Sequence, residues 1–157
     1  MSGKVLVAVD FSPITPLVVS WATSLARDRG SSLVLLHVQE PVADPAAGEL
    51  SFPLPFEESP ELRQALDSLA PHDPMVRVER RLLQGMAPEC ILETASQEHV
   101  ELIVLGSHGR GWIGRLLMGS VVQSVLRCAS CPVLVVSLPC TPPTACDHAE
   151  VLHRANG

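Results

Sequence analysis

The strongest constraint on this chain is a repeated change of hydrophobic period. Lys4–Val9 (KVLVAV), Leu33–Val38 (LVLLHV), Leu102–Leu105 (LIVL) and Pro132–Ser137 (PVLVVS) are short runs in which apolar, largely branched residues follow one another without alternation. Runs of this kind read as strands buried on both faces. Between them the period becomes helical. From Thr15 to Arg29, the residues Leu17, Val18, Trp21, Ala22, Leu25 and Ala26 recur at three- and four-residue intervals and make one apolar face. Thr15 is placed to cap that helix, with Pro16 at its first position and Gly30 ending it. A start at Ser12-Pro13 is the alternative. Further helices are expected over Glu57–Ala70, with Leu62, Leu66 and Leu69 as the stripe, and over Pro88–His99, with Ile91, Leu92 and Ala95 buried. A last one is expected over Ser120–Ala129, capped by Ser120. Val76–Leu83 alternates at first and reads as an edge strand with one wet face. The order β-α-β-α-β-α-β-α-β predicts an α/β fold, a parallel sheet with helices on both faces.

Composition narrows the function classes. A chain of 157 residues with 46% hydrophobic residues has enough apolar material for one core. Charged residues, at 18%, are too few for a coiled coil or a disordered chain. The net charge of -6 argues against a generic grip on nucleic acid or an anionic membrane. Aromatics at 3%, with no Tyr, argue against stacking on single-stranded bases. The apolar runs are far shorter than the roughly 20 residues that span a bilayer. The first residues are too short an apolar stretch for a signal-peptide core. Five cysteines, an odd number, read as reduced thiols, and the expected compartment is the cytoplasm. Prolines at 41, 45, 53, 55 and 60 make 39–60 an irregular connection.

In a doubly wound sheet, ligands bind beyond the C-terminal strand ends. Asp10 follows the first strand, Val38 and Gln39 close the second, and Gly106-Ser107-His108-Gly109 follows the fourth. Glycines stand at 106, 109, 111, 114 and 119, and a helix is expected from Ser120. Glycine lets backbone N–H groups approach an oxygen closely. The free N–H groups of a helix start, with the dipole behind them, suit an anion. This is not a Walker A loop, because Gly114 is followed by Arg115 and no Gly-Lys pair occurs. Nor is it a dinucleotide fingerprint, because the first strand-to-helix turn carries no glycine.

Gly106-x2-Gly109-x9-Gly119-Ser120 resembles the ATP-binding signature of the universal stress protein family, G-x2-G-x9-G-[ST]. VAVDFSP at 7–13, LLHV at 35–38, LIVLGSHGRG at 102–111 and CPVLVV at 131–136 resemble four strand blocks of that family, in order. The resemblance implies one domain over 1–138, a tail over 139–157, and a five-stranded sheet of order 3-2-1-4-5. It implies ATP between the ends of strands 1 and 4. Asp10 would lie at the ribose or at a phosphate-bound Mg²⁺. Val38 would offer backbone groups to the adenine, and Ala8 would line that pocket. Gly106, His108 and Gly109 would meet phosphates from one side, and Gly119, Ser120 and Val121 from the helix start. Val122 stands where some members carry Thr, which leaves only a backbone contact there. The resemblance also implies a homodimer through the last strand and an ATP-dependent role in stress signalling toward an unknown partner.

Several residues have a second reading. Asp10 also suits a simple turn before the first helix. His37, inside a buried strand, reads as structural. Arg110 and Arg115 fit phosphate neutralisation and ordinary surface charge equally. Cys128-x2-Cys131 has the spacing of half a zinc site, with Cys140, Cys146, His148 or His153 as its other half, but reduced thiols are the stronger reading. No nucleophile–base pair and no G-x-S-x-G elbow occur, so ATP is expected to be held rather than turned over quickly. A slow ATPase or nucleotidyl-transfer enzyme, and an interaction protein without nucleotide, are the alternatives.

Overall fold

The structure is a computed structural model, and it describes residues 3–41, 58–107 and 119–137. In chain order its elements are β1 (Lys4–Ala8), α1 (Thr15–Arg29), β2 (Ser32–Gln39), α2 (Pro60–Ser68), β3 (Val78–Gln84), α3 (Ala87–Gln97), β4 (Leu102–Gly106), α4 (Ser120–Cys128) and β5 (Val133–Val136). The strands form one sheet in the order β3-β2-β1-β4-β5, with every pairing parallel. This is the expected α/β architecture and strand order.

Strand alternation sorts the core into two layers. Val5, Val7, Leu33, Leu35 and Val104 point to the face covered by α1 and α2. Leu6, Val34, Leu36, Ile103 and Leu105 point to the face covered by α3 and α4. The central strands β1, β2 and β4 are therefore apolar on both sides, which is why their sequences do not alternate. Among the described residues, no helix is long and apolar enough to cross a membrane.

Several local expectations need correction. The helix cap expected at Thr15 falls on Ile14, with Thr15 the first helical residue. The Asp10 carboxylate takes over the start of this segment by accepting from Thr15 Oγ1 at 3.4 Å. The cap expected at Ser120 falls on Gly119. Trp21, expected on the buried stripe of α1, is 54% exposed. The buried face instead runs through Thr15, Val18, Val19, Ala22, Thr23 and Ala26. Thr23 can be buried because its hydroxyl donates to the Val19 carbonyl at 2.7 Å, one turn back. Apolarity alone therefore found Val18, Ala22 and Ala26 but took in the exposed Trp21 and left out Thr15, Val19 and Thr23. Most of the 39–60 connection, the 108–118 loop and the tail from 138 lie outside the described residues.

Candidate functional site

β1 and β4 lie side by side, but the chain leaves them for opposite faces of the sheet. After β1 it enters α1, in the layer shared with α2; after β4 it reaches α4, in the layer shared with α3. Such a divergence opens a crevice at the C-terminal strand ends. A cleft of about 580 Å³ lies there. Ala8 and Asp10 border it from the end of β1, Val38 from β2, and Gly106 from β4. Gly119, Ser120, Val121 and Val122 border it from the start of α4. The structure thus brings these predicted residues together around one cleft. His108 and Gly109 lie outside the described residues.

The β1 end is a built turn. Asp10 Oδ1 accepts from the Ser12 N–H at 3.0 Å. Phe11, between them, has φ 57°, the left-handed region that a residue with a Cβ seldom adopts. Asp10 is a turn residue, as its second reading had it, and the same residue borders the cleft. His37 closes the arrangement from β2. Its Nδ1 lies 2.7 Å from the Val9 carbonyl oxygen, so Nδ1 carries the hydrogen and donates it. Its ring sits 4.5 Å from the Phe11 ring, tilted by 41°.

Val38 faces the cleft with its backbone. The Leu36 carbonyl accepts from the Val9 N–H at 2.9 Å, so Leu36 turns its peptide groups toward β1. Alternation turns those of Val38 the same way, past the point where β1 has ended. Gln39 points its carbonyl the other way, to the Gly85 N–H.

On the opposite wall, α4 begins without a side-chain cap. The N–H groups of its first turn have no partner within the helix, and the helix dipole adds partial positive charge there. Gly119 has φ -57°, which any residue adopts. A Cβ built on it meets no atom within 4 Å among the described residues. Neither the backbone nor the packing of the described residues requires glycine at 119. A ligand approaching the backbone closely would.

The apolar walls of the cleft come from Ile14 and Val18 of the α1 region, Leu62 of α2, and Ile91 of α3. Sequence reasoning placed three of them only on helix stripes. What turns them toward a cleft is the divergence of the strand ends, which no local pattern encodes. Glu40 was also missed. It borders the cleft, and its Oε1 accepts from the Ala87 N–H at the start of α3 at 3.5 Å.

The partners expected for the half zinc site, Cys140, Cys146, His148 and His153, lie outside the described residues, and among the described residues there is no group of three or more metal-ligating side chains. Cys90, Cys128 and Cys131 are free thiols. Burial raises the Cys90 and Cys131 pKa values, with the Glu93 and Glu89 carboxylates adding to the effect at Cys90. Both are therefore held as thiols rather than thiolates.

Residues 1–137 match the universal stress protein family. The chain belongs to that family. A universal stress protein of Mycolicibacterium smegmatis is 38% identical over 138 residues, covering 84% of this chain and 45% of the relative. The chain therefore spans about half the length of that relative. A universal stress protein of Thermus aquaticus is 35% identical over 141 residues, covering 87% of this chain and 99% of the relative. Among solved structures, a universal stress protein in complex with cAMP superposes with a TM-score of 0.63 at 22% identity, covering 87% of this chain and 97% of that one. One from Archaeoglobus fulgidus in complex with dAMP gives 0.58 at 20% identity, covering 86% and 97%. At these identities the two structures establish the universal stress protein fold for this chain.

Proposed function

We propose that this universal stress protein binds ATP in the cleft between the ends of β1 and β4. The carrying observation is the uncapped start of α4, where an unobstructed Gly119 faces the Asp10 turn across one cavity. The first-turn N–H groups of Ser120 and Val121 would hold phosphate oxygens. Gly106, His108 and Gly109 would complete the phosphate side. The adenine would lie against Ala8 and the backbone of Val38. The cAMP and dAMP complexes of two family members support an adenine nucleotide here.

Mg²⁺ fits this donor set in one way. It commonly binds through one or two carboxylates together with nucleotide phosphates, and Asp10 is a carboxylate on the cleft. Asp10 would hold the ion, which neutralises phosphate charge when bound. In this reading nucleotide occupancy is the signal of a cytoplasmic homodimer in a stress response, and the protein holds ATP rather than turning it over.

The test is a calorimetric titration of protein shown to be nucleotide-free by its absorbance ratio. ATP with Mg²⁺ binds with a Kd in the micromolar range or below, and phosphate release over an hour stays far below the roughly 1 per second of ordinary enzymes. A flat titration overturns the reading.

A further inference from the structure

We propose that His37 is the positioning residue that sets the Asp10 carboxylate in the cleft. This assignment rests on the nucleotide reading above. The turn that carries Asp10 is locally unfavourable: Phe11 holds a left-handed φ of 57° without being glycine. Left-handed backbone is unfavourable for a residue with a Cβ, so something must hold it. Two contacts from one side chain do so. The His37 Nδ1–H donates to the carbonyl of Val9, immediately before Asp10. The His37 ring packs on Phe11, immediately after it. Asp10 is therefore pinned on both sides in sequence by a residue of the neighbouring strand.

The pin is rigid at its base. His37 is 7% exposed and sits in the register of β2, where it pairs with Leu82 of β3. In the turn beyond, Asp10 Oδ1 also accepts from the Ser12 N–H and from the Thr15 hydroxyl. Without the imidazole, the Val9 carbonyl loses its donor and Phe11 loses the ring against it. The left-handed φ then relaxes, and Asp10 leaves its place on the cleft. His37 borders the same cleft, but its role in this assignment is to hold Asp10, not to touch the nucleotide.

A double-mutant cycle on the full chain separates this from a merely structural role. ATP affinity with Mg²⁺ is measured by calorimetry for wild type, His37→Phe, Asp10→Ala and the double variant, each checked for folding by circular dichroism. His37→Phe keeps a ring beside Phe11 but deletes the donor. It weakens ATP binding about tenfold, and the same change in the Asp10→Ala background costs less than about twofold, because groups that act through one another do not add. His37→Asn, which keeps an N–H near the Nδ1 position, restores most of the affinity. Phe11→Ala removes the ring from the other side while leaving a Cβ at the left-handed φ, and it carries the same cycle if His37→Phe does not fold. Equal losses in both backgrounds overturn the assignment, as does Asp10→Ala with unchanged affinity. Wild type that binds no ATP overturns the nucleotide reading itself, and this assignment with it.

Discussion

Gly119 separates what the fold needs from what a ligand needs. Its φ of -57° and the empty space where a Cβ would stand mean that substitution strains nothing in the described protein. Gly119→Val therefore folds, with a stability loss of about 1 kcal/mol or less from the poorer N-cap. ATP affinity falls at least tenfold, because the branched side chain occupies the approach to the first-turn N–H groups. Melting curves and calorimetry on one preparation check both halves, and a folded variant of wild-type affinity places the phosphates elsewhere. The residues of this site were legible to different degrees. The proposed phosphate side was put forward from glycine spacing, since glycine before a helix start is a chemical signature in one dimension. Asp10 could be read from its place after a strand. Ile14, Val18 and Leu62 could not, because an apolar side chain carries no mark of whether it faces a core or a cleft. His37 was legible as buried and structural, but its hold on the Asp10 turn depends on Phe11 adopting a left-handed φ, which sequence does not announce.

Among the elements, α1 was legible to within one residue at its start, where the cap is Ile14 rather than Thr15, and to the residue at its end, where Gly30 stops it with φ 65°. Its buried face was legible at Val18, Ala22 and Ala26 but not elsewhere, since the sheet beneath selects Thr15 and Thr23 over the more apolar Trp21. At the sheet end away from the cleft, a charged cluster ties three elements together. Glu98, at the end of α3, pairs with Lys4 of β1 and with Arg81 of β3, the latter at 2.5 Å. The hydrogen bond from Lys4, with the Arg81 charge beside it, holds the Glu98 carboxyl below the ordinary glutamate range. A carboxyl whose pKa is depressed on folding contributes stability that is fully present above the unfolded value. That stability is lost as pH falls through the folded value. Glu98→Gln therefore melts a few degrees below wild type at pH 7, and the gap closes as the pH is lowered through 4.5 and beyond. A gap that is constant between pH 7 and pH 3 would show that the Glu98 charge contributes nothing.

At the scale of the whole molecule, the two sheet edges are unlike. β3 carries Glu79, Arg80 and Arg81, charges that make an edge unattractive to another strand. β5 reads Val133-Leu134-Val135-Val136, with its first three residues only half-buried, and Leu126 of α4 is 42% exposed. An apolar edge of this kind is a pairing surface, and we expect two copies of the chain to join through it. The ladder says how to test this without disturbing the fold. The Pro132 carbonyl accepts from Ile103 and the Val136 carbonyl accepts from Ser107, so the even-numbered residues of β5 turn their peptide groups toward β4. Val133 and Val135 turn theirs outward, to the side on which no strand pairs with β5 among the described residues. Val135→Pro thus removes an outward N–H while sparing the β4 ladder, and proline is tolerated on an edge strand in that orientation. Sedimentation velocity at tens of micromolar gives a dimer for wild type and a monomer for Val135→Pro, with matching circular dichroism spectra. A wild-type monomer across that concentration range, or a dimer that survives the proline, would remove β5 as the contact.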